Sequence, residues 1–175
     1  MKNTTGRGVI NRRFGEDGAS LLEALAFIII SLLVIGAGIG MWKMTSAGSK
    51  ENAATGQIMA IQTSYRGLYS GQNSYGTGDI TGIGVTAGLF PSDLKISGTT
   101  VTNGWSGSVV VSGVGTIFTI SWGGVPAESC AKLAVIKSDW TGVSINGTAQ
   151  TLPVTPAAAV AACNAASNTL VFSST

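Results

Sequence analysis

The chain has 175 residues, enough for one domain and an anchor, with charged residues at only 10%, 25 glycines, no histidine and a formal net charge of +2. That charge gives no nucleic-acid-binding face, because Lys2, Arg7, Arg12 and Arg13 outnumber Glu16 and Asp17 within the first 18 residues, and six bases face six acids beyond them. The lack of histidine excludes a conventional Ser or Cys triad, and a body this poor in charge must stay soluble on Ser, Thr, Asn and Gln.

In chain order, the first informative stretch is apolar. From Ala24 to Met41 the one clearly polar side chain is Ser31. A run of this length suits a transmembrane helix, at roughly 1.5 Å per residue across about 30 Å of hydrocarbon. The basic residues before it favour a cytoplasmic N-terminus, so the body after Met41 is expected outside. Glu23 stands inside the apolar start, where a carboxylate is costly unless it finds a partner.

These residues resemble the processing site of type IV prepilins: Gly18 before a break, Glu23 at the fifth position after it, and an uninterrupted Leu/Ala/Phe/Ile run. The Ala19 start, the long leader, the two-cysteine C-terminal part and the Gly/Ser/Thr-rich body are similar to type IVb pilins of the PilS type. Glu16-Asp17 departs from the basic residue that often stands before the Gly in that family.

The resemblance implies that residues 1–18 are a leader, cut between Gly18 and Ala19 by a membrane prepilin peptidase, with methylation of the new Ala19 amine. Residues 19–41 would be the membrane-spanning and assembly half of the N-terminal helix, residues 42–69 its amphipathic half, and residues 70–175 a globular head. Glu23 would set subunit register through the Ala19 ammonium of its own chain or of an adjacent copy. The implied partners are the chain itself as a helical homopolymer, the peptidase, the inner-membrane assembly machinery and the inner membrane. The implied destination is an extracellular pilus on a Gram-negative cell, serving conjugative mating contact or host-cell adhesion. A type II secretion pseudopilin or minor pilin is the alternative, and a membrane-anchored domain that never polymerises is a third reading.

The expected fold is α+β, with a long N-terminal helix packed on an antiparallel sheet and a disulfide-bounded C-terminal region. The spacing predicts one helix from Ala19 to about Tyr69, with an apolar stripe at Met44, Ala54, Ile58, Ile61, Tyr65 and Leu68. Trp42 is a candidate interfacial anchor, and Lys43, Lys50 and Glu51 fall in the polar part near the membrane exit. Residues 70–95 read as an αβ-loop, a connector by composition, which the resemblance makes a subunit contact; Leu89-Phe90-Pro91 opens a short turn or helix.

Strands are expected over Ile96–Asn103, Ser108–Ser112 and Thr116–Trp122, the last two forming a hairpin about Gly113-Val114-Gly115. Pro126 to Trp140 reads as a helix, Gly142 to Asn146 as a strand ending in an Asn146-Gly147 turn, and Thr155-Pro156 as the start of a helix through Ala166. Leu170 to Ser173 is expected to close the sheet. Trp105 and Trp122 read as packing residues.

Cys130 and Cys163 are an even pair in an expected oxidising compartment, so a disulfide is the natural reading and two buried thiols the alternative. Closing that loop is worth roughly 3 to 4 kcal/mol in the chain-entropy model. No metal, cofactor or catalytic residue is expected. Asp79 and Asp93 read as solvated acids more readily than as Ca²⁺ ligands, and Gly82-Ile83-Gly84 lacks the rest of a phosphate-binding pattern.

Overall fold

The computed structural model describes residues 17–175, without the side chains of residues 17–20, 22 and 36–47. Residues 1–16, most of the expected leader, lie outside that range, as do the side chains of Trp42, Lys43 and Met44. Helix α1 runs Asp17–Leu68, beginning two residues before the predicted start. The chain divides into two compact units, Met1–Met44 and Thr45–Thr175, the second called the head here.

After α1 come β1 (Thr77–Asp79), α2 (Thr81–Thr86), β2 (Lys95–Ser97), β3 (Thr100–Thr102), β4 (Ser108–Val114) and β5 (Ile117–Val125). Then follow α3 (Ala127–Ala134), β6 (Gly142–Ile145), β7 (Thr148–Gln150), α4 (Pro156–Ala162) and β8 (Asn168–Ser174). The strands form an antiparallel sheet in the order β2-β3-β4-β5-β8-β6-β7, with β1 pairing the far end of β4. The α+β expectation with an antiparallel sheet therefore stands.

Alternation decides which sheet face is buried. Val109 and Val111 of β4, Phe118, Ile120 and Trp122 of β5, Val143 and Ile145 of β6, and Leu170 and Phe172 of β8 all point inward. The α1 stripe meets them: Ala54, Ile58, Ile61 and Tyr65 are buried, and the Tyr65 ring stacks on Phe118 with centroids 5.8 Å apart. Burying each large apolar side chain contributes about 1.5 to 3 kcal/mol before entropy is charged against it. Leu68 falls on the same stripe by spacing but is 46% exposed, because it lies in the last helical turn, beside Ile83 and Ala87 in a shallow depression.

Several local expectations change for tertiary reasons. The expected loop 70–95 contains β1 and α2, and α2 rides on Tyr65, whose hydroxyl donates to the Ile80 carbonyl at 3.1 Å. Gly84 permits this approach, since a Cβ there would stand 1.9 Å from the Tyr65 hydroxyl. The segment Ile96–Asn103 is not one strand but the hairpin β2–β3. In the β4–β5 hairpin Val114 pairs with Ile117, so strand β4 runs through Gly113 and Val114 instead of breaking there.

The predicted Pro126–Trp140 helix stops at Ala134, because the next residues are drawn elsewhere. Ser138 donates to Gln62 of α1, Asp139 gives its carbonyl to Arg66, and Trp140 packs on Phe172. Similarly α4 ends at Ala162 and not Ala166, since Asn168 bonds both the amide and the carbonyl of Ala165 in the approach to β8. Strand β8 does not close the sheet; it lies between β5 and β6. The Asn146-Gly147 turn appears as predicted, with φ of 51° and 82° joining β6 to β7, and Thr155 caps α4 by accepting from the Ala158 amide at 3.3 Å.

Candidate functional site

The first site is the described part of the apolar run. Leu21, Leu25, Phe27, Ile28, Ile29, Ile30, Leu32, Leu33, Val34 and Ile35 are each at least half exposed, on every side of the helix. An apolar helix left uncovered by the described residues is a surface suited to an apolar medium or to other helices. Ser31 does not interrupt it chemically, because its hydroxyl donates to the Phe27 carbonyl at 2.6 Å. Glu23 is exposed on the same stretch, and Gly18 and Ala19 fall in the first turns of α1, their side chains outside the described residues. Among the described residues no helix is long and apolar enough to cross a membrane. The side chains of 36–41, which would complete the expected span, are outside that set.

The second site is the seat of α1 on the head. At 100° per residue Ala54, Ile58, Ile61 and Tyr65 occupy an arc of about 60°, and Glu51, Gln57 and Gln62 stand within about 40° of its two edges. Each of these polar residues reaches a different element. Glu51 accepts from Ser129 Oγ at 2.9 Å and from Lys132 Nζ at 2.9 and 3.1 Å, all on α3. Gln57 donates to Asp93, in the turn before β2. Gln62 donates to Ser174 at 3.1 Å and accepts from Ser138 at 2.8 Å. Apolar contact supplies attraction, while these bonds fix rotation and axial register, since slipping one residue would strand three buried polar groups.

Sequence spacing exposes the apolar stripe but not these flanks. Glu51 is not a solvated acid near the membrane exit; it is 9% exposed, and its partners are 78 and 81 residues away. A Gln on each side of an otherwise apolar stripe was the available signal. The hydrogen bond to Glu51, followed by its negative charge, raises the Lys132 pKa against the effect of desolvation. Burial foremost, and then the charges of Tyr69 and Asp79, push the Tyr65 hydroxyl above its ordinary value.

Cys130 and Cys163 are joined, linking the middle of α3 to the end of α4. Asp79 and Asp93 are not brought together. Asp79 accepts from the Thr81 amide at 2.8 Å at the start of α2, and Asp93 serves Gln57. Among the described residues no three acidic, cysteine or histidine side chains converge. Trp122 is wholly buried and Trp105 partly so, both packed in the core.

The family model described as PilS N terminal matches residues 48–175, nearly all of the head. The chain belongs to the PilS family of type IVb pilins. Among solved structures, that of a type IVb pilin from Salmonella typhi is similar, with 25% identity and a TM-score of 0.58. The match covers 71% of this chain and 97% of that one. No curated protein matches. A pilin is a structural protein.

Proposed function

We propose that this pilin is the major structural subunit of an extracellular type IVb pilus used for attachment, in mating contact or host-cell adhesion. The observation that carries the reading is the contrast along α1: Leu21, Leu25, Phe27 to Ile30 and Leu32 to Ile35 are exposed, whereas Ala54, Ile58, Ile61 and Tyr65 are buried in a PilS-family head. Before assembly, the inner membrane covers the apolar residues; afterwards the helices of other copies do. The prepilin peptidase cuts between Gly18 and Ala19, removing the excess basic charge and leaving a subunit whose side chains sum to zero. Head-to-tail contacts that do not close into a ring extend such subunits into a filament. The inner-membrane assembly machinery drives this exchange of lipid for helix.

Glu23 then has a specific part. In a helix bundle its carboxylate attracts an Ala19 ammonium and sets the axial register between neighbours. Glu23→Val is expected to abolish long fibres in electron micrographs of sheared surface material while mass spectrometry still finds Ala19 as the mature N-terminus. Normal piliation by this variant removes the register role. Wild-type cells that carry the processed chain but yield no long fibres would assign it instead to a pseudopilin or minor pilin.

A further inference from the structure

Among the described residues Glu51 is the charged side chain most withdrawn from solvent, and every side-chain partner of its carboxylate lies on α3. Those partners are Ser129 and Lys132. Between them in the same eight-residue helix sits Cys130, itself buried and bonded to Cys163 at the end of α4. So α3 is held to α1 by hydrogen bonds from two residues and to α4 by a covalent bond from a third. A helix this short has little stability of its own, and its place depends on its anchors. Leu133 and Ala134 of α3 are buried in the core as well, but Ser129 and Cys130 are adjacent residues, so a shift of α3 at one anchor is felt at the other.

We propose that α3 couples the oxidation state of Cys130 and Cys163 to the seating of α1, so that the helix is fully docked only once the disulfide has closed. The two cysteine thiols lose two protons and two electrons as their sulfurs bond, and a disulfide-bearing oxidant is cleaved to two thiols by exchange. Closure fixes α3 against α4 and presents Ser129 and Lys132 to Glu51. The coupling is local. Glu51 is the polar stitch nearest Thr45, where the head begins, whereas Gln57 and Gln62 bond to other parts of the head. Opening the disulfide thus frees the stretch around Lys50–Thr55 before it frees Ile58–Tyr65. On the proposed function, this withholds a well-registered helix from assembly until the head has reached an oxidising compartment.

The test uses the full chain in detergent micelles and needs no filament, so it stands or falls apart from the pilus reading. In hydrogen exchange, reduction of the disulfide is expected to speed exchange over residues 48–55 by about tenfold relative to β4 and β5. Linkage is reciprocal, so Glu51→Gln, with the disulfide intact at the start, is expected to speed its reduction by dithiothreitol about fivefold. Val101→Ala, a cavity in β3 away from α3, serves as the control for general destabilisation and is expected to change the reduction rate less than twofold. The proposal is overturned if Glu51→Gln leaves the reduction rate unchanged, or if Val101→Ala accelerates it equally. It is also overturned if the reduced chain stays folded with residues 48–55 protected as before. Should reduction unfold the whole head, the Glu51→Gln and Val101→Ala rates decide.

Discussion

Ile28 and Ile58 are the same side chain on the same helix, yet Ile28 is 59% exposed and Ile58 is completely buried. Around Ile58 the buried apolar residues keep to one stripe, the side that the sheet covers. Around Ile28 apolar residues run all round the helix, and no side of it is met by its own chain among the described residues. The stripe width thus reports how many sides of a helix are covered in its working state. The head has a core of its own, whereas the apolar side chains described between Leu21 and Ile35 are exposed.

The contrast breaks most readily by truncating one side chain in each region. Ile61→Ala should lower the unfolding free energy of the head by about 2 to 5 kcal/mol, measured by denaturant titration of the chain in detergent. Ile28→Ala should change head stability by less than about 0.5 kcal/mol and act instead on fibre yield. Equal losses of head stability would show that the two regions are not energetically separate.

A smaller effect follows from the raised proton affinity of Tyr65 inside the head. Its unfolded form ionises near the ordinary pKa of about 10, while the folded form holds the proton to higher pH. Above that pH the unfolded state binds fewer protons, so stability present below pH 10 is lost at up to about 1.4 kcal/mol per pH unit. Lys132 acts in the same direction: its folded pKa is raised by Glu51, so its contribution is present below the unfolded pKa and lost as pH rises through the folded one. Tyr65→Phe should flatten the alkaline fall of the melting temperature without removing it. An unchanged slope would place the alkaline sensitivity elsewhere.

The smallest effect sharpens the picture at a surface helix. Thr155→Ala removes the side-chain oxygen that accepts from the Ala158 amide, and should cost about 1 kcal/mol in the same titration. A loss under about 0.3 kcal/mol would mean that Pro156 and the disulfide hold the start of α4 without the cap.

Legibility followed interaction range. Thr155-Pro156 and Asn146-Gly147 were readable because capping and a tight turn are settled within four residues. The stripe at Ala54, Ile58, Ile61 and Tyr65 was readable because helical period is local, yet Leu68 fits the same period and is not buried. The end of α3 is not legible because partners distant in sequence, Gln62 for Ser138 and Arg66 for Asp139, take over the chain, and α4 ends early because Asn168 holds Ala165 in a turn outside the helical pattern. Helix α2 is not legible in the sequence because a Gly-rich hexapeptide has poor propensity, and its place depends on the Tyr65 ring lying beneath Gly84.

By itself the sequence determined where apolar surface recurs, where charge is removed if Gly18 is the cut, and that one pair of cysteines was available to join. Periodicity, charge and composition are properties of neighbouring residues and need no fold to be read. Only the tertiary structure decided that β8 enters the middle of the sheet, that Leu68 stays outside the core, and that Glu51 is a buried partner of α3. The physical reason is that pairing and desolvation depend on which distant surfaces meet. A carboxylate in water and one bonded to Ser129 and Lys132 carry the same letter in the chain.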